Sequence, residues 1–351
     1  MLDASGPVRG GEEIDVEAVD AWLRTKLPEL TGKPAVTQYP GGASNWTYRL
    51  SYPDRDLVLR RPPYGTKAKS AHDMSREYNI QKALKPVYPY VPSMIGLCED
   101  TSVLGVPFYV MERVPGIILR KRLPEGLVVD ESTMRVMCRS VIDKLIDLHK
   151  VDYRAAGLAS IGKGPGYAKR QIEGWSDRYE KARTWNAPSF RYVRDWLKAH
   201  TPPDRGTCVI HNDYRFDNVV LDPSDMTRVI AILDWEMATI GDPLMDLGNS
   251  LAYWVERGDD FIGRALRRQP THLPGMLSRR EVVEHYCDRM GIEVDNWAFY
   301  EAYGLFRLAV IVQQIYFRYF HRQTQNPAFK NFWAFAHYLE WRCRKILRRA
   351  R

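Results

Sequence analysis

The 351-residue sequence is poor in cysteine and has no long apolar run. Its five cysteines, at positions 98, 138, 208, 287 and 343, lack the paired spacing of a disulfide framework or a zinc site. No stretch reaches the roughly 18 apolar residues that a membrane-spanning helix needs. The first residues, MLDASGPVRGGEEID, lack the apolar core of a secretion signal. These absences predict a cytoplasmic protein with reduced thiols and no membrane partner.

Acidic residues are nearly absent from the end of the chain. Residues 301–351 contain ten Lys and Arg against two acids, Glu301 and Glu340, which accounts for the whole formal net charge of +8. A nucleic-acid-binding domain more often has a basic face throughout, so we expect no nucleic-acid partner. The basic segment is either a solvated tail or part of a site for an anionic ligand. Arg307 and Arg318 lie 11 positions apart, about three helical turns, which predicts that one helix face presents both to an anionic substrate.

Apolar patterning divides the chain into a strand-rich first third and a helical remainder. A helix is predicted near residues 16–27, then a β-meander with turns at Gly41-Gly42 and Pro53-Asp54, a helix in AHDMSREYNIQKAL, and strands in SMIGLCED and VPFYVMERV. Pro115-Gly116 ends the last strand, so we predict an N-terminal lobe over residues 1–113 and a C-terminal lobe over residues 114–351. The helices predicted in the C-terminal lobe span about 131–149, 168–184, 278–290, 295–321 and 328–349.

One motif follows a short apolar strand in CVIHNDYRFDN. It has the form H-x-D-x-x-x-x-N, with His211, Asp213 and Asn218. Phosphoryl transfer requires bound magnesium, neutralised phosphates and a carboxylate beside the acceptor hydroxyl, and a loop of this form supplies the carboxylate and a metal ligand. Asp234 ends another apolar strand 16 residues after Asn218, where a carboxylate is placed to bind magnesium.

A metal site of another kind is also compatible with part of this motif. His211 and Asp213 are two of the three ligands of a two-histidine-one-carboxylate iron site. Such a site needs a second histidine, and His272 and His285 are the dispersed candidates.

Three features upstream of the motif occur in the order found in kinases. PGGASNWTY contains two glycines and Ser44, whose backbone could approach phosphates between two strands. Arg60 ends a predicted strand 18 residues after Gly42, and Glu77 lies on the following helix 17 residues later. In kinases a strand cation pairs with the phosphates and with a glutamate on the next helix. The combined order favours a kinase-like protein.

The chain resembles the aminoglycoside-phosphotransferase-like branch of the protein-kinase-like superfamily over about residues 39–253. The segments IHNDYRFDNVVLDP and ILDWEMATIGDPLMDLG look most like phosphotransferase domains related to those fused to acyl-CoA dehydrogenases, and LVLRRPP, REYNIQKAL and YVMERVPG fit the same subgroup. The resemblance implies an α+β, protein-kinase-like two-lobe fold, with a β-rich N-terminal lobe, a mainly helical C-terminal lobe, and ATP and Mg²⁺ as cofactors.

The resemblance also implies roles for individual residues. Asp213 would be the catalytic base, Asn218 and Asp234 would hold magnesium, and Arg60, paired with Glu77, would bind phosphate.

Further implied roles concern the nucleotide and the catalytic loop. The Glu112 carbonyl and the Val114 amide, in a hinge over residues 111–114, would hydrogen bond to adenine, and Ser44 would lie at the phosphates. Asp246 in DPLMDLG would anchor the backbone of the catalytic loop.

Two positions depart from the usual pattern of such phosphotransferases. Asn212 stands before Asp213 where glycine is usual, but asparagine tolerates the left-handed conformation better than other residues. Arg60 stands where lysine is common, and arginine binds phosphate as a rigid fork rather than as a point charge. This subgroup favours arginine there, so we expect activity to be retained.

The expected function is an ATP- and magnesium-dependent phosphotransferase that acts on a hydroxyl group of a small molecule. Two alternatives remain open: a kinase for an aminoglycoside or another antibiotic, and a nucleotide-binding pseudokinase. Aminoglycosides are polycations, so a site for them should be rich in carboxylates, whereas this chain concentrates positive charge and aromatic residues near its end. That combination favours an apolar, anionic acceptor such as a hydroxyacyl-CoA. No activation-loop segment follows Asp234, which disfavours a protein kinase.

Overall fold

The computed structural model describes residues 4–40, 45–63 and 73–350. These residues form a mixed α+β protein, as predicted. The strands in the described ranges are β1 (Ala35–Gln38), β2 (Trp46–Ser51), β3 (Asp56–Arg61), β4 (Met94–Cys98), β5 (Phe108–Glu112), β6 (Cys208–Ile210), β7 (Val219–Leu221), β8 (Val229–Ile232) and β9 (Thr239–Gly241). The helices there are α1 (Val16–Arg24), α2 (Met74–Leu84), α3 (Thr101–Leu104), α4 (Glu131–His149), α5 (Tyr167–Ala182), α6 (Arg191–Ala199), α7 (Pro243–Ala252), α8 (Phe261–Leu266), α9 (Arg279–Met290), α10 (Trp297–Phe320) and α11 (Phe332–Arg349).

The chain forms two compact units. Unit 1 comprises Met1–Lys144, Arg154–Leu158 and Phe216–Ala238, and unit 2 comprises Leu145–Tyr153, Ala159–Arg215 and Thr239–Arg351. Unit 1 therefore includes a segment from the second half of the sequence. The predicted lobes, residues 1–113 and 114–351, are two continuous ranges of the chain. That assignment stays a prediction.

Unit 1 is built on a five-stranded antiparallel sheet with the order β1-β2-β3-β5-β4. Alternation along β3 points Leu57 and Leu59 to one face and Val58 to the other, because successive side chains of a strand leave opposite faces. Val19 of α1 packs in the Leu57 and Leu59 cluster, and Met74 of α2 packs in the cluster of Val58. Each face of the sheet thus has its own helix.

The returning segment of unit 1 is a hairpin of β7 and β8. Ile117, which follows β5, exchanges backbone hydrogen bonds with Leu221 of β7 at 2.8–2.9 Å. Gly116 is required beside this contact, since a Cβ atom there would lie 2.6 Å from the carbonyl oxygen of Leu221. This close contact places the end of β8, and therefore Asp234, within unit 1.

Unit 2 is mainly helical, with the short β6–β9 pair as its only sheet in the described ranges. Its central element is α10, which is buried along most of its length. Helix α7 crosses α10 at two glycines: a Cβ atom on Gly248 would lie 2.6 Å from the carbonyl oxygen of Tyr300, and one on Gly304 would collide with the carbonyl oxygen of Gly248. This crossing brings the middle of α10 to the segment that follows β6.

The predicted helices agree well with the structure. Helix α4 has the predicted bounds, α2 lies within AHDMSREYNIQKAL, and the other predicted helices are shifted by a few residues at their ends. Ser278 and Glu281 form a reciprocal capping box at the start of α9, as their spacing indicates. No prediction covers helices α3, α6, α7 and α8, because their four to ten residues are fewer than the window of about 11 over which apolar periodicity is judged.

All five cysteines are free thiols, and four of them are buried, in agreement with the prediction. Within the described ranges, every helix is too short or too polar to cross a lipid bilayer.

Candidate active site

One cluster of candidate residues lies in unit 1 and centres on Arg60. Arg60 lies on strand β3, one residue before the strand ends at Arg61, and its side chain is only 11% exposed. Its Nη2 atom lies 3.0 Å from Oδ1 of Asp234 and 3.6 Å from carboxylate oxygens of both Glu77 and Glu236. Burial alone would lower the pKa of Arg60, but the three carboxylates and Tyr109 raise it well above its usual value. The planar guanidinium of Arg60 is therefore always charged and lies among three carboxylates.

Helix α2 places Glu77 beside Arg60. Asp73 caps the helix by accepting from the Arg76 amide at 2.9 Å, and Arg76 donates from its side chain to the Glu236 and Ala238 carbonyl groups. The helix is thereby fixed to the segment that follows Asp234. Glu77 is 2% exposed, and burial raises its pKa even though Arg60 acts in the opposite direction.

Asp234 and Asn218 are brought together by the β7–β8 hairpin. The Leu233 amide donates to the Asn218 carbonyl at 2.8 Å, and Asp234 follows with a left-handed backbone at φ 68°. A left-handed conformation is uncommon for a residue other than glycine and is found at functional sites. Both side chains line one cavity of about 220 Å³.

The donor set of this cavity fits magnesium. Asn218 offers an amide oxygen and Asp234 a carboxylate, and Mg²⁺ is bound through one or two carboxylates together with substrate phosphates and water. The Nε of Arg60 is buried with no hydrogen-bond acceptor among the described residues, so the cavity also retains a cationic donor for a phosphate.

The same cavity contains the predicted adenine-binding residues. Glu112 ends β5, and Val114 lies two residues beyond it; both line the cavity. Arg113 between them donates to the Tyr39 hydroxyl at 2.9 Å and pairs with Asp56 at 3.4 Å, so the segment is attached to the sheet. Ser44, with Gly41 and Gly42, lies outside the described residues.

A second cluster of candidate residues is the loop after β6 in unit 2. Asp246 on α7 accepts hydrogen bonds from the His211 amide at 2.8 Å and the Asn212 amide at 2.7 Å, which is the geometry expected of a backbone anchor. His149, at the end of α4, lies 3.1 Å from Asp246 and 2.5 Å from the Tyr286 hydroxyl. Burial opposes ionisation of Asp246, yet these hydrogen bonds hold its pKa below the usual value.

Asn212 has the left-handed conformation expected at a position where glycine is usual, with φ 64°. Its side-chain oxygen accepts from the Tyr167 hydroxyl at 3.2 Å and from Asn249 at 3.1 Å. The asparagine thus keeps the backbone geometry and adds two contacts that glycine lacks.

Asp213 follows in the same loop and is 21% exposed at its side chain. Arg215, two residues later, pairs with it through Nε and Nη2, and the Arg215 guanidinium lies 4.8 Å from the centre of the Tyr253 ring. The carboxylate is accessible and has a fixed direction, as a base for an acceptor hydroxyl requires.

The prediction that Arg307 and Arg318 together face a substrate is wrong. Both lie on α10, but Arg307 is 4% exposed and donates from Nη2 to the Asn212 carbonyl at 2.9 Å, whereas Arg318 is exposed in the last turn. Buried residues of α10 extend from Phe299 to Tyr316, and the four residues after Tyr316 are partly or fully exposed. Aromatic residues of this helix follow the same division, since Tyr303 and Phe306 are fully buried and Phe320 is 40% exposed.

Sequence reasoning missed several groups of the site. Glu236 accepts from Asn45 at 2.9 Å and lies near Arg60, and its place two residues after Asp234 was the available signal. Arg215 had a similar signal, two residues after Asp213. His149 had none, because it reaches the loop from a distant part of the chain, and Arg307 was predicted to face a substrate rather than to contact the loop.

In the part of the chain that the structure describes, no group of three or more His, Cys, Asp or Glu side chains is placed to hold a metal ion. The described residues therefore form no two-histidine-one-carboxylate set of the kind that the iron alternative requires.

Comparison with known proteins places the chain in one family. Residues 35–282 match the model of the phosphotransferase enzyme family, APH. Mouse acyl-CoA dehydrogenase family member 10 is 38% identical over 315 residues, covering 89% of this chain and 29% of that protein. Rat acyl-CoA dehydrogenase family member 11 is 36% identical over 315 residues, covering 88% of this chain and 40% of that protein. The chain thus spans well under half the length of these curated relatives.

Solved structures share the architecture over nearly the full chain. A crystal structure of a candidate aminoglycoside phosphotransferase from Ralstonia eutropha JMP134 is 31% identical, with a TM-score of 0.81, covering 97% of this chain and 100% of that one. Choline kinase from Cryptosporidium parvum Iowa II is 12% identical with a TM-score of 0.65, covering 95% and 96%, which shows a common fold alone. The predicted kinase-like α+β fold is confirmed.

Proposed function

The chain belongs to the phosphotransferase enzyme family, and from this premise we propose that it transfers the terminal phosphoryl group of ATP to a hydroxyl group of a small molecule, with Mg²⁺ as cofactor. The observation that carries the proposal is the position of Arg60. It lies 3.0 Å from Asp234, in the cavity that Asn218 also lines. Phosphoryl transfer requires a cationic side chain that binds phosphate, next to oxygen donors that bind magnesium.

Each predicted residue has a distinct task in this proposal. Asn218 and Asp234 would hold Mg²⁺, which when bound with ATP neutralises charge on the phosphates. Arg60 would contact a phosphate with its fork, while Glu77 and Glu236 keep the guanidinium in place. The Glu112 carbonyl and the Val114 amide would orient adenine, and Ser44 would lie at the phosphates.

Asp213 would act on the acceptor. Its carboxylate would accept a hydrogen bond from the acceptor hydroxyl and take its proton as the oxygen attacks phosphorus. Arg215 holds both carboxylate oxygens of Asp213 and would fix their direction. The Asp246 anchor keeps the backbone of this loop rigid, so little reorganisation is needed when the acceptor arrives.

For the acceptor we propose an apolar, anionic alcohol of the hydroxyacyl-CoA class. The support is the relationship to two proteins named acyl-CoA dehydrogenase family members and the basic composition of residues 301–351. The burial of Arg307 removes one cation from this argument, so the exposed basic residues of α11 carry it.

A second candidate is an antibiotic kinase, which is favoured by the match to the Ralstonia eutropha protein. A nucleotide-binding pseudokinase is disfavoured, because Asp213, Asn218 and Asp234 are all present.

A transfer assay tests these proposals together. The full chain is incubated with Mg-ATP and, separately, 3- and 4-hydroxyacyl-CoAs of several chain lengths, free hydroxy acids, choline and aminoglycosides. ADP release and a phosphate-mass increase of the acceptor are both measured. Asp213→Ala serves as the matched control, and products in one acceptor class identify the substrate. Mg-ATP binding without a product from any class would favour the pseudokinase.

A further inference from the structure

Arg307 is a buried cation whose contacts are directed to the backbone of the catalytic loop. It is 4% exposed, and within the described residues it forms no ion pair with a carboxylate. Its Nη2 donates to the Asn212 carbonyl at 2.9 Å, and its guanidinium lies 5.2 Å from the centre of the Trp175 ring. Burying an arginine without a carboxylate is costly, so its position calls for an explanation beyond packing.

The carbonyl that Arg307 binds belongs to the peptide that leads into Asp213. The other end of this peptide, the Asp213 amide, donates to Nδ1 of His211 at 3.3 Å. The plane of the Asn212–Asp213 peptide is therefore held at its oxygen by α10 and at its nitrogen by the loop itself. Because a peptide is planar, fixing both ends fixes the direction of the next Cα–Cβ bond, which is that of Asp213.

This restraint acts next to Asn212. Its left-handed backbone, φ 64°, is uncommon for a residue with a side chain, although asparagine tolerates it better than most, so contacts on both sides of the residue stabilise it. Asp246 accepts from the amide of Asn212, on one side of the residue. Arg307 donates to the carbonyl of Asn212, on the other side.

We propose that Arg307 is a positioning residue: from the middle of α10 it locks the Asn212–Asp213 peptide and so sets the direction in which Asp213 presents its carboxylate. This inference rests on the proposed role of Asp213. The tight crossing of α10 over α7 at Gly304 and Gly248 keeps the guanidinium at the distance that the lock needs.

Steady-state kinetics of two variants test the inference. In Arg307→Met, kcat should fall about tenfold to hundredfold, because a small misplacement of a catalytic group has effects of that size. The KM for ATP and the affinity for Mg-ATP should stay within about twofold of wild type, a margin that corresponds to a small free-energy difference. Arg318→Met, an exposed position on the same helix, is the matched control and should keep wild-type kcat.

Chemical rescue separates positioning from general damage. Guanidinium ion, at concentrations far below those that unfold proteins, should restore part of kcat in Arg307→Ala and have no such effect on Arg318→Met. Wild-type kcat in Arg307→Met overturns the inference. A loss of kcat accompanied by an equal rise in KM for ATP, with no rescue, also overturns it. If Arg307→Met does not fold, Arg307→Lys, which keeps the charge, is judged by the same kcat and KM criteria.

Amide hydrogen exchange keeps the inference separate from the proposed function. A wild-type chain that phosphorylates none of the acceptors counts against the proposed function alone. In that case exchange in the full chain decides: faster exchange over residues 208–215 in Arg307→Met than in Arg318→Met supports the lock, and equal exchange refutes it.

Discussion

Arg215 holds Asp213 by both carboxylate oxygens. Its Nε lies 3.1 Å from Oδ1, and its Nη2 donates to Oδ2 at 3.1 Å, while its guanidinium lies 4.8 Å from the centre of the Tyr253 ring. The acceptor hydroxyl that we propose for Asp213 would therefore share the carboxylate with a cation that also contacts Tyr253. The arginine restricts the direction of the carboxylate. It would also bring positive charge next to the acceptor oxygen, where charge develops during the proposed reaction.

Removing this cation should slow transfer without weakening nucleotide binding. For Arg215→Ala we expect kcat to fall by about 10²-fold or more, since a positioned charge at a reacting group has effects of that order. Arg215→Lys should recover part of the loss, because a lysine keeps the charge but not the two-pronged contact. Steady-state kinetics with a saturating acceptor measure both, and equal kcat in all three proteins would exclude a role for Arg215.

Asp213→Ala should abolish transfer and leave ATP binding nearly intact. The side chain is proposed to contact the acceptor hydroxyl, and general-base and positioning roles contribute about 10²–10⁴-fold in rate. Turnover by coupled ADP release and ATP affinity by calorimetry give the two quantities. The control is Asp225→Ala, an exposed acidic side chain that does not line the cavity. A turnover equal to wild type in Asp213→Ala contradicts the assignment.

Asp234→Asn and Asn218→Ala should each weaken magnesium-dependent ATP binding. Both side chains line the same cavity and are proposed to share the ions that bridge the phosphates. Titration of ATP with and without Mg²⁺ should show a smaller gain from the metal in either variant. If the gain is unchanged in both, the nucleotide site lies elsewhere.

Arg60→Lys should raise the KM for ATP. Expressed as a free energy, this rise should exceed the decrease in the free energy of unfolding. Lysine keeps one positive charge but loses the fork that reaches Asp234 at 3.0 Å and Glu77 and Glu236 at 3.6 Å. Arg49→Lys is the matched control, because Arg49 also lies on a strand of this sheet and pairs with Asp56 away from the cavity. The same rise in KM in both variants would show that the effect comes from the sheet and not from the site.

Unfolding in acid should depend on Asp246. Its pKa is lowered in the folded protein, so its contribution to the free energy of unfolding is fully present above the unfolded-state value, about 3.9, and is lost as pH falls through the lower folded-state pKa. Below pH of about 4 the wild-type protein should lose stability more steeply than Asp246→Asn, which has no proton to bind at this position. Urea unfolding at several pH values measures the slopes, and parallel slopes contradict the prediction.

Much of the fold and part of the site could be predicted because their signals are local. Helices α4, α9, α10 and α11 follow from apolar periodicity, and the α9 capping box from two residues three positions apart. The loop from His211 to Asn218 and the strand end at Asp234 are contiguous motifs. The left-handed backbone of Asn212 likewise follows from what asparagine tolerates.

Other contacts could not be predicted, because they depend on how far one element covers another. Glu236 is an ordinary acid in the sequence until β8 brings it to Arg60, whereas the resemblance implies the contact of Asp246 with the loop backbone. The pairing of Arg60 with Glu77 was a resemblance-based expectation, and the structure places these groups 3.6 Å apart.

By itself the sequence determined the helix that carries Arg307 and Arg318 and their separation of three turns, since helical geometry depends on the chain alone. Tertiary structure decided that one arginine is buried against the Asn212 carbonyl and the other is exposed. The physical reason is that periodicity fixes the angle of a side chain around a helix axis, whereas burial depends on where along that axis the neighbouring helices end.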